Sequence, residues 1–167
     1  MPLPQSMMRF LPVLRRCPDA QADISGGCAE AQLRGTVRFY QTPQGVLVLA
    51  EVSGLPDRGC RCEGNVFAFH IHSGSSCAGS ADDSFSDARG HYDPGRCPHP
   101  AHAGDLPPLF SNGGYALQAF LTDRFTVREI IGRTVIIHDG VDDFTSQPAG
   151  NAGSRIACGV IKKTGCR

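Results

Sequence analysis

The sequence predicts an all-β sandwich or barrel, and three features carry that prediction. Short runs of β-branched and aromatic residues recur along the chain, Gly, Pro and Asp punctuate them, and no long segment has helical periodicity. Residues 20–26, 33–41, 45–54, 65–73, 115–122, 134–139 and 155–162 read as strands, the first of them the weakest. Thr42-Pro43, Gly54-Leu55-Pro56 and Asn112-Gly113-Gly114 read as the turns between them. Only 124–131 suits a helix, and it is short. Many short strands with turn signals and no long helix point to a sandwich or a barrel. Residues 73–111, rich in Gly, Ser, Asp and Pro, and residues 140–154 are long and irregular. Long ordered loops on a β scaffold usually carry function.

A chain of 167 residues is enough for one domain with its own core. The longest apolar run, residues 46–50, is far too short to cross a membrane as a helix. Sixteen Lys and Arg balance sixteen Asp and Glu, so there is no electrostatic footprint for nucleic acid or an anionic membrane. Residues 1–19 read as a poorly ordered leader and 20–167 as the domain. Pro2, Pro4, Arg9, Pro12, Arg15 and Arg16 interrupt every apolar run that a secretory signal would need. That leans towards a cytoplasmic location. Eight cysteines lean the other way, because disulfides persist in oxidising compartments. Cys60-Arg61-Cys62 is a C-x-C pair and no C-x-x-C occurs, so a structural zinc knuckle is not signalled.

All six histidines fall in places suited to metal binding. Along 66–72, alternate side chains share a face: Phe67, Phe69 and Ile71 suit the core, while Ala68, His70 and His72 lie opposite. His70 and His72 are then close enough to hold one ion together. Along 134–138, Val135 and Ile137 face one way and His138 ends the strand on the other face, beside the second long loop. The first loop holds Gly90-His91-Tyr92-Asp93-Pro94 and then His99, His102 and Asp105 at intervals of three residues. Imidazoles suit zinc and copper, and a carboxylate completes a closed tetrahedral zinc site.

At these residues the sequence resembles the copper/zinc superoxide dismutase family, in its bacterial branch. The matching stretches are Phe69-His70-Ile71-His72, Gly90-His91-Tyr92-Asp93-Pro94, His102-Ala103-Gly104-Asp105-Leu106-Pro107, residues 132–138 and residues 150–161, in family order. The resemblance implies a Greek-key β-barrel, an immunoglobulin-like sandwich, with its metals held outside the barrel under two long functional loops. By position it implies copper on His70, His72, His91 and His138. Zinc would sit on His91, His99, His102 and Asp105, with His91 shared. It implies Arg155 as the guanidinium that attracts and orients superoxide. Asp142 would be the carboxylate linking a copper histidine to a zinc histidine, and Cys77–Cys158 the disulfide tying the first loop to the barrel. The implied activity is dismutation of superoxide to dioxygen and hydrogen peroxide. Copper would cycle between its two oxidation states, His91 would shuttle a proton and zinc would be structural.

The sequence departs from the family pattern at three places. Ser73 follows the H-x-H. The spacer between His99 and His102 is short, which weakens the zinc assignment. The loop 139–154 is also short and lacks the charged Glu/Lys/Thr group, so anion steering would rest on Arg155 and the metals. Cys17, Cys28, Cys60, Cys62, Cys97 and Cys166 have no assigned pairing; one bridge compatible with the sequence joins Cys60 or Cys62 to Cys97. Two other functions stay open. One is a non-catalytic metal-binding or copper-delivery protein with the same fold. The other is a zinc-dependent hydrolase, disfavoured because no general-base Glu stands beside the H-x-H. Superoxide is the implied small-molecule substrate. A homodimer is compatible with the sequence, which carries no diagnostic interface residue.

Overall fold

A computed structural model describes residues 10–57, 59 and 65–165. In chain order the elements are α1 (Phe10–Arg15), β1 (Ala20–Gly26), β2 (Arg34–Thr42), β3 (Gly45–Ser53), β4 (Val66–Phe67) and β5 (Phe69–His72). They continue with β6 (Leu109–Phe110), β7 (Tyr115–Thr122), α2 (Val127–Ile130), β8 (Thr134–His138) and β9 (Arg155–Lys163). A 3₁₀ turn, Ser86–Ala88, interrupts the first long loop. Within the segment read as a leader, α1 is a single short helix with no buried residue.

Seven strands form one antiparallel sheet in the order β5-β8-β9-β1-β2-β3-β7. Alternation shapes it. In β3, Val46, Val48, Ala50 and Val52 are fully buried, whereas Glu51 and Ser53 are exposed. A two-stranded ribbon of β4 and β6 completes the wall. β4 runs on into β5 at one edge of the large sheet, and β6 packs beside β7 at the other. The barrel interior is filled by Val37, Phe39, Val48, Phe67, Phe69, Ile71, Leu109, Val135, Ile137 and Ile161 among others. β7 is an edge strand whose outward residues Tyr115, Leu117 and Leu121 are exposed.

Three details differ from the sequence reading. The strand expected over 65–73 is two strands, because the backbone of Ala68 turns to other partners: its N–H donates to Gly140 O, and its carbonyl accepts from His138 N–H. The helix expected over 124–131 is confined to Val127–Ile130, where Thr126 and Glu129 form a capping box at its start. A strand, β6, lies inside the stretch read as wholly irregular.

The first loop is ordered by the free edge of β5. Ile71 N–H donates to Gly104 O and its carbonyl accepts from Tyr92 N–H, while Ser73 N–H donates to Gly90 O and Leu106 N–H to Phe69 O. The segments around His91 and Asp105 thus run beside β5, bridging His72 to His91 and His70 to Asp105. This covers an edge that would otherwise present unpaired backbone groups. It also requires glycine at 104, since a Cβ there would collide with the Ile71 carbonyl. The disulfide Cys77–Cys158 fastens the loop to β9 across 81 residues of sequence, with the Cα atoms 5.7 Å apart.

Candidate metal centre

Sheet register places three of the histidines. Phe69 and Ile71 point into the core, so His70 and His72 point outward, where the two long loops bury them to 0% and 1% exposure. β8 pairs with β5, Phe69 opposite Ile137, so His138 follows immediately beside them at the strand end. The loop edge then supplies His91. Nitrogen atoms of His70, His72, His91 and His138 all lie within 4.8 Å of one another. Ligand atoms of His91, His99, His102 and Asp105 form a second group at the same spacing. His91 belongs to both, its ring centroid 3.9 Å from that of His70 and 5.3 Å from that of His102.

Hydrogen bonds to Asp142 and to backbone carbonyls set which nitrogen is available in His70, His72, His99 and His138. A carboxylate or carbonyl oxygen can only accept, so a ring nitrogen facing one carries the proton. His70 Nε2 donates to Asp142 Oδ2 at 2.8 Å and leaves Nδ1 free. His72 Nδ1 donates to Arg89 O at 2.7 Å and His138 Nδ1 to Gly153 O at 3.2 Å, so each leaves Nε2. Those two Nε2 atoms lie 3.4 Å apart. His99 Nε2 donates to Asp142 Oδ1 at 2.9 Å and leaves Nδ1, which stands 3.0 Å from Asp105 Oδ2. His91 Nδ1 lies 2.7 Å from Asp105 Oδ1.

Three buried ring nitrogens have no hydrogen-bond partner: His70 Nδ1, His91 Nε2 and His99 Nδ1. His99 Nδ1 is close to Asp105, but the geometry is not that of a hydrogen bond. Orphaned buried polar atoms are costly, and a cation accepting their lone pairs satisfies them. The donor set therefore fits metal ions: an all-imidazole quartet on one side, and three imidazoles with a carboxylate on the other.

Asp142 joins the two groups through His70 and His99, and also accepts Phe144 N–H at 2.8 Å. Gly150 makes room for it, at φ +67°, because a Cβ there would strike the carboxylate. Burial opposes ionisation of Asp142, yet the hydrogen bonds from His70, Phe144 N–H and His99 prevail and hold its carboxyl at about 2. Asp105 follows the same logic, burial raising it and His91 lowering it further, so it lies below the usual range. Burial is the leading cause that lowers His70 and His72, and it lowers His138 to about 3.

Arg155 opens β9 and faces a cleft of about 830 Å³ that His72, His91 and His138 also line. Its NH1 donates to Phe85 O and its NH2 to Arg89 O, both at 2.8 Å. Arg89 O thus accepts from His72 and from Arg155 together, and Arg89 adopts φ +63°. The disulfide lies where the resemblance implied it, between Cys77 and Cys158. The bridge compatible with Cys60 or Cys62 and Cys97 does not form, since Cys97 is an exposed free thiol. Cys60, Cys62 and Cys166 lie outside the described residues. Cys17 is disulfide-bonded and Cys28 is free.

Sequence reading missed several supports. Arg124 NH1 donates to Pro100 O, His102 O and Asp105 O at 3.1, 3.2 and 3.3 Å, gathering the backbone around the second group. Gln147 clasps His99 from the other loop, accepting its N–H at 3.0 Å and donating to its carbonyl at 2.7 Å. Arg133 stacks on the Tyr92 ring, 4.1 Å away, and donates to Ser73 O. These contacts cross between distant segments and leave no local signal.

A Greek-key barrel carrying two adjoining ligand quartets around one common imidazole defines a dinuclear metalloprotein. The family described as copper/zinc superoxide dismutase matches residues 33–161. A copper-zinc superoxide dismutase of Aquifex aeolicus is 34% identical over 148 residues, covering 80% of this chain and 81% of that protein. One from Photobacterium leiognathi is 35% identical, covering 77% of this chain and 78% of that protein. The copper/zinc superoxide dismutase of Brucella abortus superimposes with a TM-score of 0.70 at 28% identity, over 84% of this chain and 98% of that one. A double mutant of a superoxide dismutase-like protein from Bacillus subtilis gives 0.68 at 26% identity, over 84% of this chain and 95% of that one. The chain belongs to the copper/zinc superoxide dismutase family.

Proposed function

We propose that this protein dismutates superoxide to dioxygen and hydrogen peroxide, with copper on His70, His72, His91 and His138 and zinc on His91, His99, His102 and Asp105. The observation that carries the assignment is His91: one ring belongs to both groups, with Nδ1 at Asp105 and Nε2 buried without a protein partner. Copper, when bound, supplies the one-electron exchange with superoxide that no side chain here offers. His91 Nε2 is the atom at which a proton is held and handed to the product, because imidazole both ligates metals and exchanges protons near neutrality. Nδ1, 2.7 Å from Asp105, would hold zinc together with that carboxylate. Asp142 fixes the tautomers of His70 and His99 by accepting from both Nε2 atoms. Arg155, always cationic, offers a planar donor fork to a small anion in the cleft. Its two carbonyl acceptors pin it beside the His72 acceptor and aim it at the cluster.

A non-catalytic copper-delivery role is not favoured, because His72, His91 and His138 of the quartet line one accessible cleft together with Arg155. Among the described residues no helix is long and apolar enough to cross a membrane. The Cys77–Cys158 disulfide supports an oxidising compartment for the folded protein. The test is reconstitution with copper and zinc, metal analysis and a superoxide-consumption assay. Stoichiometric binding of both metals with superoxide-dependent turnover is expected. Binding without turnover would leave the delivery role, and zinc-dependent hydrolysis without superoxide turnover would replace both.

A further inference from the structure

We propose that Asp83 sets the affinity of the cleft for small anions by sharing the charge of Arg155; the inference rests on the function proposed above. Asp83 Oδ2 lies 3.1 Å from Arg155 NH1, the guanidinium nitrogen that also donates to Phe85 O. The carboxylate is built into its turn. Asp83 Oδ1 accepts Phe85 N–H at 3.0 Å. Its carbonyl accepts from Ser80 N–H and Ser86 N–H, and its own N–H donates to Ser80 Oγ. Three residues, 83–85, thus present a carboxylate and a carbonyl to one guanidinium nitrogen, immediately before the 3₁₀ turn that leads to Arg89 and His91.

The surroundings make this pair decisive. Among the described residues lining the cleft, Glu30, Asp82, Asp83, Asp93 and Asp139 carry carboxylates, and Arg155 is the one Arg or Lys. The whole chain has zero net charge, so no long-range field draws an anion in. The attraction left to the protein itself is the local field of Arg155, and Asp83 cancels part of it at contact distance. Arg155 does not need Asp83 for its placement, since the carbonyls of Phe85 and Arg89 already hold both terminal nitrogens. A partly exposed pair of this kind contributes little to stability. Its consequence falls on the ligand, and Asp83 acts through the charge of Arg155 to set anion affinity.

The experiment titrates azide into the copper- and zinc-loaded protein and follows the azide-to-copper absorption band. Asp83→Asn keeps the shape of the side chain and an acceptor oxygen but removes the charge; Asp83→Ser removes the charge with a different shape. Both should tighten azide about threefold, the scale expected for one partly exposed charge at this range. In an Arg155→Gln background, removing the Asp83 charge should change azide affinity far less, a coupling that a merely structural role would not produce. Unchanged or weaker azide binding in both single variants overturns the proposal, as does an equal effect with and without Arg155. If the wild-type protein loaded with copper shows no azide-sensitive band, the copper assignment fails and the Asp83 role falls with it.

Discussion

The two ligand groups share a ring but are built differently. On the copper side, His70, His72 and His138 stand on β5 and β8, whose register is locked by Phe69, Ile71, Val135 and Ile137 in the core. On the zinc side, His91, His99, His102 and Asp105 all come from the first long loop. Nothing in a loop sets spacing by itself, so outside groups must do it: the β5 edge for His91 and Asp105, Asp142 and Gln147 for His99, and Arg124 for the turn that carries His102. Strands position a site through packing that exists for other reasons. A loop needs contacts made for the purpose.

The comparison breaks most sharply at a strand ligand. His72→Ala should lose copper and all superoxide turnover while keeping zinc, measured by metal analysis and assay. Loss of zinc with copper retained would exchange the two assignments.

Acid should strike the copper side of the metal-free protein. Burial, and next the nearby His70, hold His138 at about 3 against an ordinary 6.5. Between those values the unfolded chain binds a proton and the folded protein does not. Stability is therefore fully present above 6.5, falls as pH drops through that window and reaches its full loss below about 3, roughly tenfold in the unfolding equilibrium per pKa unit. Denaturant midpoints at a series of pH values test this; a flat profile from neutrality to pH 4 would refute it.

Asp142→Ala should erase the distinction between the groups, because that carboxylate touches His70 and His99 alike. Both metals should weaken by about 10–100-fold, the usual cost of removing a partner that orients a ligand. Competition with a chromophoric chelator measures both, and an effect on one metal only would show that the other histidine is held without it.

Arg124→Ala should sharpen the distinction. It frees three carbonyls of the zinc-side turn, and among the described residues the Arg124 guanidinium donates no hydrogen bond to a copper-side residue. Zinc affinity should fall about tenfold with copper affinity unchanged, and Arg124→Lys should restore part of it. Equal loss of both metals would make Arg124 a general fold support.

The difference between the groups also explains how much of the site was legible. Alternation in Phe69-His70-Ile71-His72 and Val135-Ile136-Ile137-His138 displays the copper-side histidines, because a strand has period two and the core claims every other residue. The zinc-side ligands were visible as a cluster, and their assignment came from resemblance, including the short His99–His102 spacer, which the structure accommodates within one compact group. Arg124, Gln147, Arg89 and Asp83 were not legible, since each acts across separations that no periodicity spans.

The sequence by itself determined the strand pattern, the turn positions and the supply of ligand-type side chains, because these follow from local stereochemistry and hydrophobic periodicity. Tertiary structure alone decided that Ala68 ends one strand and that the free edge of β5 captures the first loop. It also decided that His91 stands between two groups and that Arg155 meets a carboxylate as well as two carbonyls. The physical reason is common to all four. Each depends on which backbone edges and buried charges find one another when distant segments close over the barrel, and that pairing is settled only when the whole wall is in place.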